Sequence, residues 1–255
     1  MTTANPTASA LPVLILLHGA GGNQAMWNPV RRHLDPRLQV VTLDLPGHGT
    51  RSDGHFTLEA AVELVATEVR RLAPAQVVLG GDSLGGYTSI ATALAIPPER
   101  IAGLVLGGCT QNIDGKLLRA MRVRKILVRV MAALMGPKRF VARAADALVK
   151  KGIARADMDA IVAGGMRMAA WGEAVESLAN RDTVAQVRKL QSRILFVNGD
   201  QDEGPVAHEA EFVAAARHAS TARFPTEHGV SLWMPAEFAA AVNHFVLGLA
   251  EKAAA

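Results

Sequence analysis

The sequence predicts an α/β fold: a mainly parallel sheet of about six or seven strands with helices on both faces and an inserted helical lid. Three observations carry this. Short apolar runs without strict polar alternation recur along the chain, as in strands buried on both faces. Segments of helical periodicity separate them. One interval of 86 residues, Gly107 to Ser192, holds no convincing strand, whereas a crossover needs about a dozen residues.

Strands are expected at Val13–Leu17, Val40–Leu43, Val77–Leu79, Ile101–Leu106 and Arg193–Val197, with a weaker one at Ala222–Phe224. Leu58, Ala61, Val62, Val65, Val69 and Leu72 mark one buried helix face. Phe238, Val242, Phe245 and Leu249 mark another, in Pro235 to Leu249. The α/β core is expected to take residues 1–110 and 187–255, and the strand-free interval a helical lid at 111–186. The clearest lid helix runs from Lys116 to Met135. Lys116, Arg119, Arg122, Lys125 and Arg129 fall on one face, and Leu117, Leu118, Met121, Ile126 and Val130 take much of the other. Such a helix is expected to pack its apolar side on the domain below; peripheral membrane contact is the less favoured alternative.

With 255 residues, half of them hydrophobic, the chain suits one large domain and is too apolar for disorder. The net charge of +4 is unevenly placed, since Lys116 to Arg155 holds twelve Lys or Arg against Asp146 alone. A basic patch suits anionic ligands. Aromatics are 4% of the chain and do not interleave with the cations, which argues against nucleic acid. The lone cysteine, Cys109, excludes an intramolecular disulfide and fits a reducing compartment. Met1 to Ala10 carry no Lys or Arg, so no secretory leader is expected and the expected location is cytoplasmic. No His/Cys/carboxylate cluster has ligand spacing, so neither metal nor cofactor is expected. The expected partner is a small-molecule substrate.

The strongest local signal is Gly81-Asp82-Ser83-Leu84-Gly85, between a strand and a helix expected over Leu84 to Leu94. A serine on such a sharp turn needs small residues two positions away on either side, and Gly81 and Gly85 supply them. Its hydroxyl needs a base. His228 is the best candidate of eight histidines, lying between the last strand and the final helix. His18 precedes the glycine-rich Gly19-Ala20-Gly21-Gly22, and His48 lies in a Pro-Gly-His-Gly turn. The base needs an orienting carboxylate. Asp202 follows the strand at Arg193–Val197, and Asp200 is its rival. An oxyanion hole would use the N–H of Leu84 and that of Ala20, with Gly21 next. Trp27, Tyr87 and Trp233 are candidate substrate-binding residues.

The series His18-Gly19-Ala20-Gly21-Gly22, Asp44-Leu45-Pro46-Gly47-His48-Gly49, Gly81-Asp82-Ser83-Leu84-Gly85-Gly86, Gly199-Asp200-Gln201-Asp202 and His228 resembles the α/β-hydrolase superfamily, from about Val13 to Leu249. The resemblance implies a Ser83–His228–Asp202 triad, with Asp202 matching the family's acid. Four positions depart from the pattern: the short stretch before Val13, Glu227 before the histidine, Asp82 before the serine and Arg51 after the Pro-Gly-His-Gly turn.

The reading this supports first is a serine hydrolase of small apolar carboxylic esters, thioesters or lactones. Six of nine methionines (Met121, Met131, Met135, Met158, Met166 and Met168) lie in the lid interval, as an apolar acyl pocket or as ordinary packing. One alternative is a C–C bond hydrolase or pyruvate-eliminating lyase using the same triad on an anionic substrate. The other is a ligand receptor with weak hydrolase activity.

Overall fold

Val13–Leu17 (β1) is buried throughout, and its side chains alternate between two cores. Val13, Ile15 and Leu17 enter one, Leu14 and Leu16 the other. This is the period-two consequence of a pleated strand covered on both faces. The computed structural model describes residues 11–254; the leader expectation concerns residues 1–10, outside this range.

Five more strands complete the sheet: Val40–Leu43 (β2), Val77–Asp82 (β3), Ile101–Gly107 (β4), Arg193–Gly199 (β5) and Ala219–Phe224 (β6). Their order is β2-β1-β3-β4-β5-β6, and every neighbouring pair is parallel. β3 and β6 run further than their apolar residues indicate. Gly80 and Gly81 have little strand propensity, but they pair with Leu16 and Leu17 of β1 and with Val105 and Leu106 of β4. Tertiary pairing overrides local preference there. β6 is a mostly exposed edge strand, which is why its hydrophobic signal is faint.

The helices are Asn28–Arg31 (α1), Leu58–Arg71 (α2), Leu84–Ala95 (α3), Gly115–Met135 (α4), Pro137–Lys150 (α5), Arg155–Ala163 (α6), Met168–Leu178 (α7), Thr183–Lys189 (α8), Glu203–Ala215 (α9), Val230–Trp233 (α10) and Pro235–Ala254 (α11). The core that receives Val13, Ile15 and Leu17 also takes in residues of α2, α3 and α8. The other takes in residues of α1 and α11. A third, small cluster joins Ala145, Ile153, Met158 and Ile161 in the segment between β4 and β5.

α4 departs from expectation. Leu118 is buried and Leu117 and Met121 half-buried, but Ile126 and Val130 face solvent. The physical reason is that only one apolar side of the helix can pack: Leu118 and Met121 join Ala174, Val175 and Leu178 of α7, and in that orientation Lys125 Nζ and Arg122 Nη2 reach Glu176 of α7 at 3.0 and 2.8 Å.

The sheet order reverses at β1 and β3, with Leu17 in register with Gly81. The carboxyl ends of strands at such a switch point form the customary ligand crevice of an open α/β sheet.

Candidate active site

Ser83 follows β3 directly with φ 53° and ψ −112°. A non-glycine residue adopts such a conformation at a cost of about 1–3 kcal/mol and keeps it only where its surroundings enforce it. Here Ser83 N–H donates to Gly107 O at 2.7 Å, while Ser83 O accepts from Gly86 N–H at 2.9 Å and Tyr87 N–H at 3.2 Å. The flanking glycines answer to close approach. A Cβ on Gly81 would lie 2.2 Å from Gly85 C, and one on Gly85 would lie 1.9 Å from Leu17 O. Leu84 N–H belongs to the first turn of α3, where amides have no partner within the helix.

β5 and β6 pair Gly199 with Phe224, which sets their following loops side by side. Asp202 comes from the first loop and His228 from the second. His228 Nδ1 and Asp202 Oδ2 are 2.5 Å apart. Asp200 is exposed, and its amide is used by Phe224 O at 2.8 Å. His228 lies beside Gly108, where an added Cβ would be 2.8 Å from its Cε1. Burial alone would lower the His228 pKa, but the Asp202 hydrogen bond and the charges of Asp202 and Asp82 outweigh it and raise it. Glu227 turns away from the imidazole and pairs with Lys151 at 2.9 Å.

The loop after β1 is held from below by two neutral imidazoles. His18 Nδ1–H donates to Gly19 O at 2.8 Å, and its Nε2 accepts Leu45 N–H at 3.0 Å. Burial, with help from the neighbouring His48, pushes its pKa down to about 3. His48 accepts Gly21 N–H at 3.1 Å. Gly21 N–H is thus engaged, and Ala20 N–H has no acceptor among the described residues. Asp44 steadies the same region by accepting from the amides of Gln24 and Thr50 at 2.7 and 2.9 Å.

The three substrate-binding candidates part company. Trp27 is fully buried against Phe238, with ring centroids 5.8 Å apart. Tyr87 is buried in the sheet core, and its hydroxyl donates to Gln111 O at 2.7 Å. These two are core residues, because large side chains following the β1 loop and the elbow point into the sheet layers. Trp233 stays half-exposed beside the site, its Nε1–H donating to His228 O at 3.0 Å. The six methionines of the 111–186 interval do not form one group: Met158 and Met166 belong to the third cluster, whereas Met131 is exposed on α4.

Sequence reasoning missed three contributors. Met26 approaches the elbow: a Cβ on Gly19 would lie 3.7 Å from Ser83 Cβ and 3.8 Å from Met26 Cε. Arg167 joins the segment between α6 and α7 to the loop after β1, its N–H donating to Gly21 O at 2.9 Å and its guanidinium to Gly47 O at 2.9 Å. Ser231 donates to the buried carboxyl of Asp82. No local pattern announces any of these, since each partner is distant in sequence.

Comparison with known proteins agrees with this fold. The profile of the alpha/beta hydrolase family matches residues 14–241. An esterase of Mycobacterium tuberculosis is 41% identical over 105 residues, which is 40% of this chain and 34% of that protein. A pimeloyl-[acyl-carrier protein] methyl ester esterase of Vibrio vulnificus is 39% identical over 85 residues, 33% of this chain and 31% of that protein. The match thus spans about a third of the length of these relatives. Among solved structures, a hydrolase from Pseudomonas aeruginosa superposes with TM-score 0.75 at 22% identity, covering 94% of this chain and 91% of its own. MenH from S. aureus does so with TM-score 0.73 at 17% identity, covering 98% and 97%. These structures share the fold. With the family profile spanning nearly all of the sheet and its elbow, the chain belongs to the α/β-hydrolase family.

Proposed function

We propose that the protein is a serine hydrolase of small apolar carboxylic esters, working through an acyl-enzyme. The observation that carries this reading is the 2.5 Å His228–Asp202 contact, with Gly108 packed between His228 and Asp82, the residue before the strained Ser83. The names of the partly matching relatives, both esterases, support the same bond type.

In this reading Ser83 Oγ attacks the ester carbonyl carbon and its proton passes to His228 Nε2. Asp202 keeps the imidazole proton on Nδ1 and stabilises the cation that forms. Negative charge on the carbonyl oxygen falls between the amides of Leu84 and Ala20. His228 then returns its proton to the leaving alkoxide. Water, deprotonated by His228, attacks the acyl carbon and releases the acid and free Ser83. Residues 111–186 act as the lid, coupled to the oxyanion loop through Arg167 N–H to Gly21 O and Asn23 Nδ2–H to Ile161 O at 2.7 Å.

The test is turnover of a p-nitrophenyl ester series from acetate to palmitate, with a methyl ester included. Turnover with a chain-length optimum, abolished in a folded Ser83→Ala protein, is the expected result. Turnover that survives Ser83→Ala overturns the mechanism. A folded protein inactive on every ester shifts the assignment to the elimination, C–C cleavage or receptor reading.

A further inference from the structure

Six of the seven large hydrophobic side chains exposed among the described residues lie on α4. They are Val123, Ile126, Leu127, Val130, Met131 and Leu134, between 46% and 79% exposed. Val123, Leu127, Val130 and Leu134 follow the spacing i, i+4, i+7, i+11, and Ile126 and Met131 widen the line. At about 1.5 Å per residue this makes an aliphatic stripe about 16 Å long. Leu118, Met121 and Val128 lie on the opposite, inward side of the helix. The stripe is therefore a second apolar face with no covering element among the described residues.

Its surroundings are cationic. Arg122 and Lys125 are neutralised by Glu176. Arg119, Arg124 and Arg129 on α4, and Lys138, Arg139 and Arg143 on α5, make no ion pair among the described residues. Arg124 lies 5.5 Å above the Trp171 ring, on one flank of the stripe, and Arg129 is on the other. Met135 of α4 and Arg139, Arg143, Asp146 and Lys150 of α5 line one depression, three cations against one acid.

We propose that the α4–α5 hairpin docks on an anionic lipid surface, with the aliphatic stripe in the acyl boundary and the flanking cations at the headgroups. Charge complementarity selects this occupant. A second copy related by a two-fold axis would set each cation cluster against itself. A protein partner of ordinary kind would find no aromatic anchor on the stripe, where such anchors dominate binding energy. A bilayer needs no shaped pocket, accepts a convex aliphatic ridge and rewards flanking Lys and Arg. No helix among the described residues is long and apolar enough to cross a membrane, so the hairpin would lie on the surface.

The test is flotation of the full chain with vesicles of equimolar phosphatidylglycerol and phosphatidylcholine, against phosphatidylcholine alone. We expect at least about ten-fold stronger partition onto the anionic vesicles. The paired variant Leu127→Ser/Val130→Ser and the paired variant Arg139→Gln/Arg143→Gln should each lose most of it, with unchanged thermal unfolding because all four side chains are exposed. Equal partition onto both vesicles, absence of partition, or full binding by either variant overturns the proposal. So does a dimer in sedimentation that Leu127→Ser/Val130→Ser converts to monomer, which would assign the face to self-association. Retention on immobilised poly-glutamate without vesicle binding would assign it to an acidic protein and equally overturn it.

Discussion

Gly21 N–H donates to His48 Nε2 at 3.1 Å, while His48 Nδ1–H donates to Pro46 O at 2.9 Å. The ring is held neutral, and burial, the largest influence, lowers its pKa. This contact engages the Gly21 amide, while Ala20 N–H, the proposed oxyanion donor, has no acceptor among the described residues. His48→Ala should lower kcat by about ten-fold or more while changing KM far less. His48→Gln, which keeps an acceptor, should recover part of the loss. Steady-state kinetics on the best p-nitrophenyl ester decides it, and an unaltered kcat in His48→Ala would remove the loop from the mechanism.

The choice between the two aspartates is measurable as a rate and as a pH profile. His228 must be neutral to act as a base, and its pKa is raised in the fold. Activity as kcat/KM should therefore rise with pH through a value above about 6.5. Asp202→Asn removes the partner that favours the imidazolium, so the acid limb should move down and kcat should fall by about 10⁴. Asp200→Asn should leave both nearly as they are. A larger loss in Asp200→Asn would reassign the acid.

His18 makes the fold acid-sensitive. Its pKa in the fold is about 3, against about 6.5 when unfolded. Between those values the unfolded chain holds a proton that the folded chain does not. Stability is therefore complete above about 6.5 and falls by about 1.4 kcal/mol for each pH unit below it. His48 adds to the trend in the same direction. Urea unfolding at about pH 7 and about pH 5 should show the drop, and the non-titrating His18→Gln should show a shallower one. Identical slopes in the two proteins would contradict the assignment.

Ser231 is the donor that satisfies Asp82 Oδ2, and Asp82 Oδ1 is buried without a partner. Burial already raises the Asp82 pKa. Ser231→Ala removes the hydroxyl donor from this buried carboxyl and leaves it only the Ser231 backbone contact, at an expected cost of about 1–3 kcal/mol in chemical denaturation. A variant as stable as the parent would mean that Asp82 finds another donor.

The elbow was legible because its constraints are local. A strained serine one residue beyond a strand demands small neighbours within two positions, and Gly81 and Gly85 carry that demand in the chain itself. The buried strands were equally legible, since burial on both faces leaves a continuous apolar run. The sequence also carried both aspartates and the histidine, but only as candidates. Tertiary structure separated them: pairing of Gly199 with Phe224 aligns two loops so that Asp202, and not Asp200, meets His228. The roll of α4 was decided the same way. Its apolar residues are compatible with either of two faces, and packing of Leu118 and Met121 with Ala174, Val175 and Leu178 of α7, more than fifty residues further along the chain, selects one. Signals within a turn or a strand are written in adjacent residues. Which side chains meet across the molecule depends on sheet register and on packing partners that come together only when the chain is folded.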